Sequence, residues 1–355
     1  MIIYFFIAAI CILLAFGETV ANRNFRYRVA DLYFYLAIVL GLFLIAGFRE
    51  CGFDYYNYYE YFKNLNNPHW FTRGLEIGSE PGYSLLNYLL GNYAAVIAVM
   101  SMVIIWIQFR FIWIYSKLPI VSVIFYLGLF MYPSTMGQYR QALALGIVLW
   151  AIVNTENRVR FLLLIALAMM FHFSGILGIL ALFIPQRIRS LKFYLILFGA
   201  AIVCSITAQV IYMRFLGMLP EYVATKLAHY AAVETTALGL NSAVMLRAFV
   251  FFICYYYRNQ LLCIPRMGYF LNIYFLSLII YTALGFAPQV AGRGSIYFSI
   301  FEIILIANLI FTQRGWLRYG LFCLFVCFSL YRQWSFFKEW SNDYIPYKNW
   351  LFDLF

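Results

Sequence analysis

Residues 47–91 read GFRECGFDYYNYYEYFKNLNNPHWFTRGLEIGSEPGYSLLNYLLG, the first long polar interruption in an otherwise oily chain. The stretch collects Arg49, Glu50, Asp54, Glu60, Glu76 and Glu80 beside a dense run of tyrosines. The apolar segments on either side have the length and composition of membrane helices, so this stretch reads as a polar element held against a bilayer. Composition agrees, because 65% hydrophobic and 11% charged residues, with a mean hydropathy of +0.82, cannot be hidden in a water-soluble globule of 355 residues. The expected fold class is all-α, a polytopic transmembrane helical bundle.

A net charge of +11 invites a nucleic-acid reading. The basic residues, however, are spread through short loops between apolar runs and form no basic cluster, as the positive-inside bias of membrane proteins requires. Of seven cysteines, only Cys51 falls in a segment expected outside, so no disulfide framework follows. Cys323 and Cys327 share one helix face without a nearby His or carboxylate and read as packing residues.

Upstream of the polar stretch, residues 1–17 are apolar, and Arg23, Arg26 and Arg28 follow that segment instead of preceding it. This order reverses a secretory signal and predicts an uncleaved first span with its N-terminus outside. A second span over 31–48 returns the chain to the outer face, which makes 49–92 an external loop. Within it, residues 81–91 are too few to cross a core that needs about 20 helical residues, so they read as a half-helix that dips in.

Downstream, spans are expected at 93–115, 119–134 and 137–154, with Lys117 inside. The outer turn YPSTMGQYRQ sets Arg140 at the start of a descending helix. The next segment, 158–192, has basic residues at both ends and His172, Ser174 and Gly175 at its middle. One long span and two half-length helices meeting at FHFSG both fit, and counting Lys and Arg does not separate them. A re-entrant hairpin over 161–184 is preferred, because basic residues flank it on both sides and an interior His-Ser-Gly is a natural helix break in protein-lined surroundings.

Spans at 192–213, 243–257, 268–287, 295–311 and 317–331 complete about ten crossings in one transmembrane domain, 1–355. A second external loop is expected at 214–242, a short one, PQVAGRGS, carries Arg293, and the tail from Arg332 is external.

Five arginines then lie at or just below the outer face: Arg49, Arg140, Arg214, Arg247 and Arg293. Positive charge there runs against the general bias, and an arginine within a span costs a few kcal/mol unless it is partnered. Snorkelling with pairing to Glu50, Asp54, Glu80 or Glu234 accounts for any single one. Several converging from different helices point to an anionic ligand, because guanidinium forks match phosphate oxygens bidentately. The external loops contain no metal-binding spacing, and His69, His172 and His229 are scattered. DYYNYYEYF, with Tyr58, reads either as an interfacial helix anchored by tyrosines or as aromatic faces for sugar rings. Asp54 follows close after Arg49. Glu80 opens the half-helix at Pro81, where an acid complements the helix dipole, and His172 sits at the hairpin tip.

In its motifs FRECGFDYYNYYEYF, SEPGYSLLNYLL, MGQYRQALALGI, FHFSGILGILALFIP, GRGSIYFSI and NDYIPYKNWLF, in that order, the chain resembles the EpsG family of Wzy-type polysaccharide polymerases. Phe53 stands where the family's Gly-Thr-Asp pattern has a small residue. The resemblance implies a multi-pass enzyme of the bacterial inner (cytoplasmic) membrane, polymerising undecaprenyl-diphosphate-linked oligosaccharide repeat units at the periplasmic face. Its expected partners are the lipid-linked donor and acceptor, membrane lipids and a chain-length regulator, with no nucleic acid. It needs no cofactor and no metal.

Under that reading Arg140, Arg247 and Arg293 hold the diphosphate, with Arg49 as a fourth and Tyr58 against the substrate. Asp54 is the first candidate base, Glu80 the second and His172 the third. Two rivals remain open: a lipid-linked oligosaccharide flippase, which should show an inverted repeat, and another polyprenyl-phosphate-dependent glycosyl- or acyltransferase.

Overall fold

The computed structural model describes residues 1–21, 29–215 and 241–351. Among the described residues every named element is helical, and the single β-contact is an isolated bridge between Arg49 and Asn349. Five helices are long and apolar enough to cross a bilayer. A sixth candidate is the pair Pro288–Ser299 and Phe301–Thr312, bent by 47°. The expected count of about ten crossings is not confirmed, because the remaining apolar helices run only 10–17 residues.

The described residues fall into two compact units, Met1–Ile179 with Ile306–Phe355, and Leu180–Leu305. The predicted loop 214–242 lies, except at its two ends, outside the described residues, as does the side chain of Arg214.

In the first unit, α1 (Ile2–Ala21) packs along α7 (Pro119–Tyr126), and α2 (Val29–Gly47) along α6 (Tyr93–Tyr115). The Glu18 carboxylate accepts from the amides of Ile120 and Val121, 3.1 Å each. A helix start leaves such amides unpaired, and Pro119 in the first turn has none to contribute, so the acid from α1 satisfies what α7 cannot. Beside it, Asn308 bonds the Lys117 amide and the Tyr115 carbonyl.

At the opposite end of these helices the Tyr4 hydroxyl reaches the Tyr344 carbonyl, and the amides of Glu50 and Gly52 donate to the carbonyls of Lys348 and Asp343. Residues 44–52, the 132–140 turn and the C-terminal segment therefore share one end, and residues 115–121 and 308–318 the other.

α7 runs on into a π-helix, Leu127–Gly137, to form one 19-residue span. Its Gly128 admits the backbone of Ser329, whose hydroxyl donates to the Ile124 carbonyl at 2.7 Å. Next come α8 (Tyr139–Ile152) and α9 (Arg158–Met169), packed side by side, and the 3-10 helix Phe173–Phe183.

The chain reverses at Met170–His172. A Cβ on Gly175 would meet Ala168, and one on Gly178 would meet Ile165, so the pairing runs antiparallel and depends on missing side chains. The helix break at FHFSG and the turn back that the sequence predicted are both present. At about 18 Å, α9 is shorter than a hydrocarbon core.

In the second unit, Tyr194 on α10 (Leu191–Phe215) donates to Asn272 Oδ1 and accepts from the Arg189 amide, while Asn272 bonds the carbonyls of Pro185 and Arg187. These contacts fix the 185–191 connection to helix Met267–Ala283. The expected loop PQVAGRGS is a correction: it forms the start of helix Pro288–Ser299. Proline in the first turn forfeits only an amide that would lack a partner anyway, and its fixed φ suits the helix.

Candidate functional site

The polar stretch folds as three short helices, α3 (Tyr55–Leu65), α4 (Trp70–Glu76) and α5 (Pro81–Leu90). α5 is the predicted half-helix, with Pro81 in its first turn and Gly91 closing it in the left-handed conformation at φ +61°.

Glu80, just ahead of Pro81, points to α8. Its Oε2 lies 2.7 Å from Nη1 of Arg140, and the two side chains are 16% and 13% exposed. The other oxygen accepts from the Phe173 amide at 3.2 Å, and the Met170 carbonyl accepts from the amides of Gly82 and Tyr83 at 2.8 and 3.3 Å. The hairpin tip and the half-helix N-terminus thus grip one another around a carboxylate, each satisfying groups the other leaves unpaired.

Around the Arg140 guanidinium stand three tyrosine rings, Tyr58 at 5.2 Å, Tyr61 at 4.8 Å and Tyr83 at 5.1 Å. Such contacts are worth roughly 0.5–2 kcal/mol each and offset part of the desolvation of a nearly buried cation. Nε of Arg140 is buried and has no hydrogen-bond partner. Tyr139 backs the box, its ring 4.0 Å from that of Tyr58 and its hydroxyl 2.7 Å from that of Tyr83. Burial pushes the Tyr58 phenol up and the Arg140 charge partly offsets this, so Tyr58 stays a neutral hydroxyl at physiological pH. It is only 6% exposed. Its ring packs within the box, against Tyr139 and beside the Arg140 guanidinium.

Arg49, also expected to bind substrate, is 1% exposed and turned inward. Its Nη1 donates to the Ala46 carbonyl and to Ser101 Oγ, and its Nη2 donates to the Met136 carbonyl at 2.7 Å. The guanidinium ties the end of α2 to α6 and to the π-helix.

Asp54 heads α3, half-buried, and accepts from Asn57 Nδ2 at 3.1 Å. It lies near enough to Tyr58 to raise that phenol further. His172, at the hairpin tip, has Nδ1 2.6 Å from Ser174 Oγ. Asp54, Glu80, Arg140 and His172 therefore belong to the same end of the first unit, on α3, the α5 entry, α8 and the hairpin tip.

Arg247 and Arg293 belong to the second unit. The Arg247 guanidinium lies 3.9 Å from the Tyr281 ring centre, with Nη1 buried and unpaired, while Arg293 is an exposed residue of helix Pro288–Ser299.

The sequence reading missed Tyr61, Tyr83, Tyr139 and the backbone of Met170 and Phe173. Tyr58 and Tyr61, three residues apart, share a helix face and carried a readable signal. The other groups come from distant segments and carried none. Among the described residues no three His, Cys, Asp or Glu side chains group as metal ligands.

The sequence model of the EpsG family matches residues 32–349, from α2 through the C-terminal segment. No curated protein and no solved structure matches the chain.

Proposed function

The chain belongs to the EpsG family, a family of Wzy-like polymerases, and from that premise we propose that it is a membrane glycosyltransferase that joins undecaprenyl-diphosphate-linked oligosaccharide units at the outward face of the bacterial cytoplasmic membrane. In the proposed reaction a hydroxyl oxygen of the acceptor unit bonds to the anomeric carbon of the donor. The bond from that carbon to the diphosphate oxygen breaks, and the lipid diphosphate leaves with the electron pair. A carboxylate takes the hydroxyl proton.

The observation that carries this reading is the Arg140 guanidinium, fixed by Glu80 and ringed by three tyrosines at the end of the unit that also holds Asp54 and His172. Negative charge grows on the leaving diphosphate, and a preorganised cation beside it lowers the barrier. The second unit, taken by itself, carries two more arginines of the kind a phosphate recognises, Arg247 against the Tyr281 ring and the exposed Arg293.

Glu80 has both oxygens engaged, so we assign it to holding Arg140 and give the base to Asp54. His172, bonded to Ser174 beside the Glu80 contact, orders the tip. Arg49, with Nη1 and Nη2 directed at the Ala46 and Met136 carbonyls and at Ser101, acts as a positioning residue.

The test is single-turnover polymerisation with purified lipid-diphosphate-linked units. Arg140→Ala is expected to lower the rate by about 100- to 1,000-fold, the loss of one transition-state contact, with Arg140→Lys in between because it keeps charge but loses the fork. Asp54→Asn is expected to lose more than Glu80→Gln. Polymer of normal length and rate from Arg140→Ala sinks the diphosphate assignment, and full activity in Asp54→Asn sinks the base.

A further inference from the structure

The last described residues lie across the loop that leads into Asp54. The Asp343 carbonyl accepts from the Gly52 amide at 2.8 Å, the Lys348 carbonyl accepts from the Glu50 amide at 3.0 Å, and the Trp350 amide donates to the Phe48 carbonyl at 3.1 Å. Side chains repeat the pattern: Tyr347 Oη donates to the Ile45 carbonyl at 3.0 Å, Asn349 Nδ2 to the Leu44 carbonyl at 3.1 Å and to Tyr347 Oη at 2.7 Å, and Tyr344 Oη to the Tyr132 carbonyl at 2.8 Å. A connecting segment left to itself would satisfy these groups with water. Here six bonds run to residues about 200–300 positions earlier in the chain, a large ordering cost for so short a segment.

What they hold is specific. Gly52 has φ +132°, a conformation that L side chains rarely adopt, and a Cβ there would lie 2.8 Å from the Met136 carbonyl oxygen. Its amide goes to Asp343, and its carbonyl accepts from the Tyr55 amide at 2.9 Å, which starts α3. Phe53 then packs beside Trp340 and Tyr344, with ring centres 5.0 and 6.5 Å apart, and fills the space that Gly137 leaves open. Asp54 follows directly. Its backbone direction is thus set by a turn pinned between the 136–137 carbonyl side and the C-terminal segment, and a misplacement of about 1 Å is enough to lose on the order of 100-fold in rate.

We propose that residues 343–350 form a strap, seated by Tyr347 and Asn349, that positions Asp54 for the reaction through Gly52 and Phe53. The inference rests on the assignment of Asp54 above. The strap touches none of the partners described for Arg140, so loosening it is expected to slow turnover and leave donor binding in place.

Cys51 is a built-in reporter. It is 7% exposed, with its thiol 3.7 Å from the Tyr4 hydroxyl, beside the strap. In the full-length chain with Cys51 as its single cysteine, labelling by a membrane-impermeant maleimide is compared with polymerisation kinetics. The variants are Tyr347→Phe with Asn349→Ala and, separately, Trp350→Pro, which removes the amide bonded to Phe48. Expected are a labelling rate raised about 10-fold, kcat lowered about 10-fold or more and donor KM unchanged, with partial recovery of kcat in Asn349→Gln relative to Asn349→Ala.

Labelled Cys51 with kcat at the wild-type value overturns the positioning role. Cys51 that stays protected in both variants overturns the seating. A drop in kcat accompanied by an equal rise in donor KM overturns the separation from the Arg140 site. If Asp54→Asn keeps full activity, the base assignment fails while the labelling result stands, so the two failures are told apart.

Discussion

At the scale of single residues Arg49 and Arg140 illustrate how one side chain serves two ends. Arg49 spends its two terminal nitrogens on the carbonyls of Ala46 and Met136 and on Ser101, whereas Arg140 reaches the Glu80 carboxylate and stands among three tyrosine rings; Nε of each is buried without a partner. A lysine cannot reach two carbonyls and a hydroxyl at once, and each buried acceptor left unpaired costs about 1–3 kcal/mol. Arg49→Lys is therefore expected to lower the thermal midpoint of the detergent-solubilised protein by several degrees, and Arg49→Ala by more. Arg140→Lys should leave the midpoint nearly unchanged while activity falls. Equal melting losses for the two lysine variants would mean that both arginines are structural. The sequence marked both as unusual cations. It held no sign of which would turn inward, because that depends on the carbonyls left open by the π-helix, 87 residues further on.

At the scale of elements the hairpin and the half-helix are the pair that matters. Each is too short to cross a bilayer by itself, and each leaves backbone groups unsatisfied at its end, which lipid does not tolerate. They solve this together at Gly82, Tyr83, Met170 and Phe173. A Cβ on Gly82 would stand 2.8 Å from the Met170 carbonyl oxygen, an obstacle made of backbone that no rotamer change relieves. Gly82→Ala is expected to cost about 1–3 kcal/mol as an overpacked contact and to reduce polymerisation sharply by moving Glu80 away from Arg140. Melting curves and rates on the same preparation check it, and an alanine chain that is as stable and as active as the original removes the tip contact from the account. The break at FHFSG was legible in the sequence, since His, Ser and Gly interrupt an apolar run. The return was read there too, but the contacts that seat it were not, because Gly175 facing Ala168 and Gly178 facing Ile165 depend on the packed geometry.

At the scale of the molecule, sidedness follows from which segments share an end. Glu18, Lys117 and Asn308 meet at one end of the first unit, and Tyr4, the 44–52 segment and the C-terminal strap at the other. Lys63→Cys and Lys117→Cys are accordingly expected to react with an impermeant maleimide from opposite faces of sealed vesicles, and labelling from the same face would contradict the arrangement.

Membership of the membrane class, the helical content and the short helix at 81–90 were determined by the sequence, which also singled out Glu80 and Arg140 as candidates. They rest on local quantities: hydropathy over a window, a proline after an acid, a charge in an oily run. The tyrosine box, the inward turn of Arg49, the grip between hairpin tip and half-helix and the seating of residues 343–350 were decided by tertiary structure alone. Each joins groups tens to hundreds of residues apart, and the force that selects them, the need to satisfy buried polar groups away from water, acts only once the chain has folded.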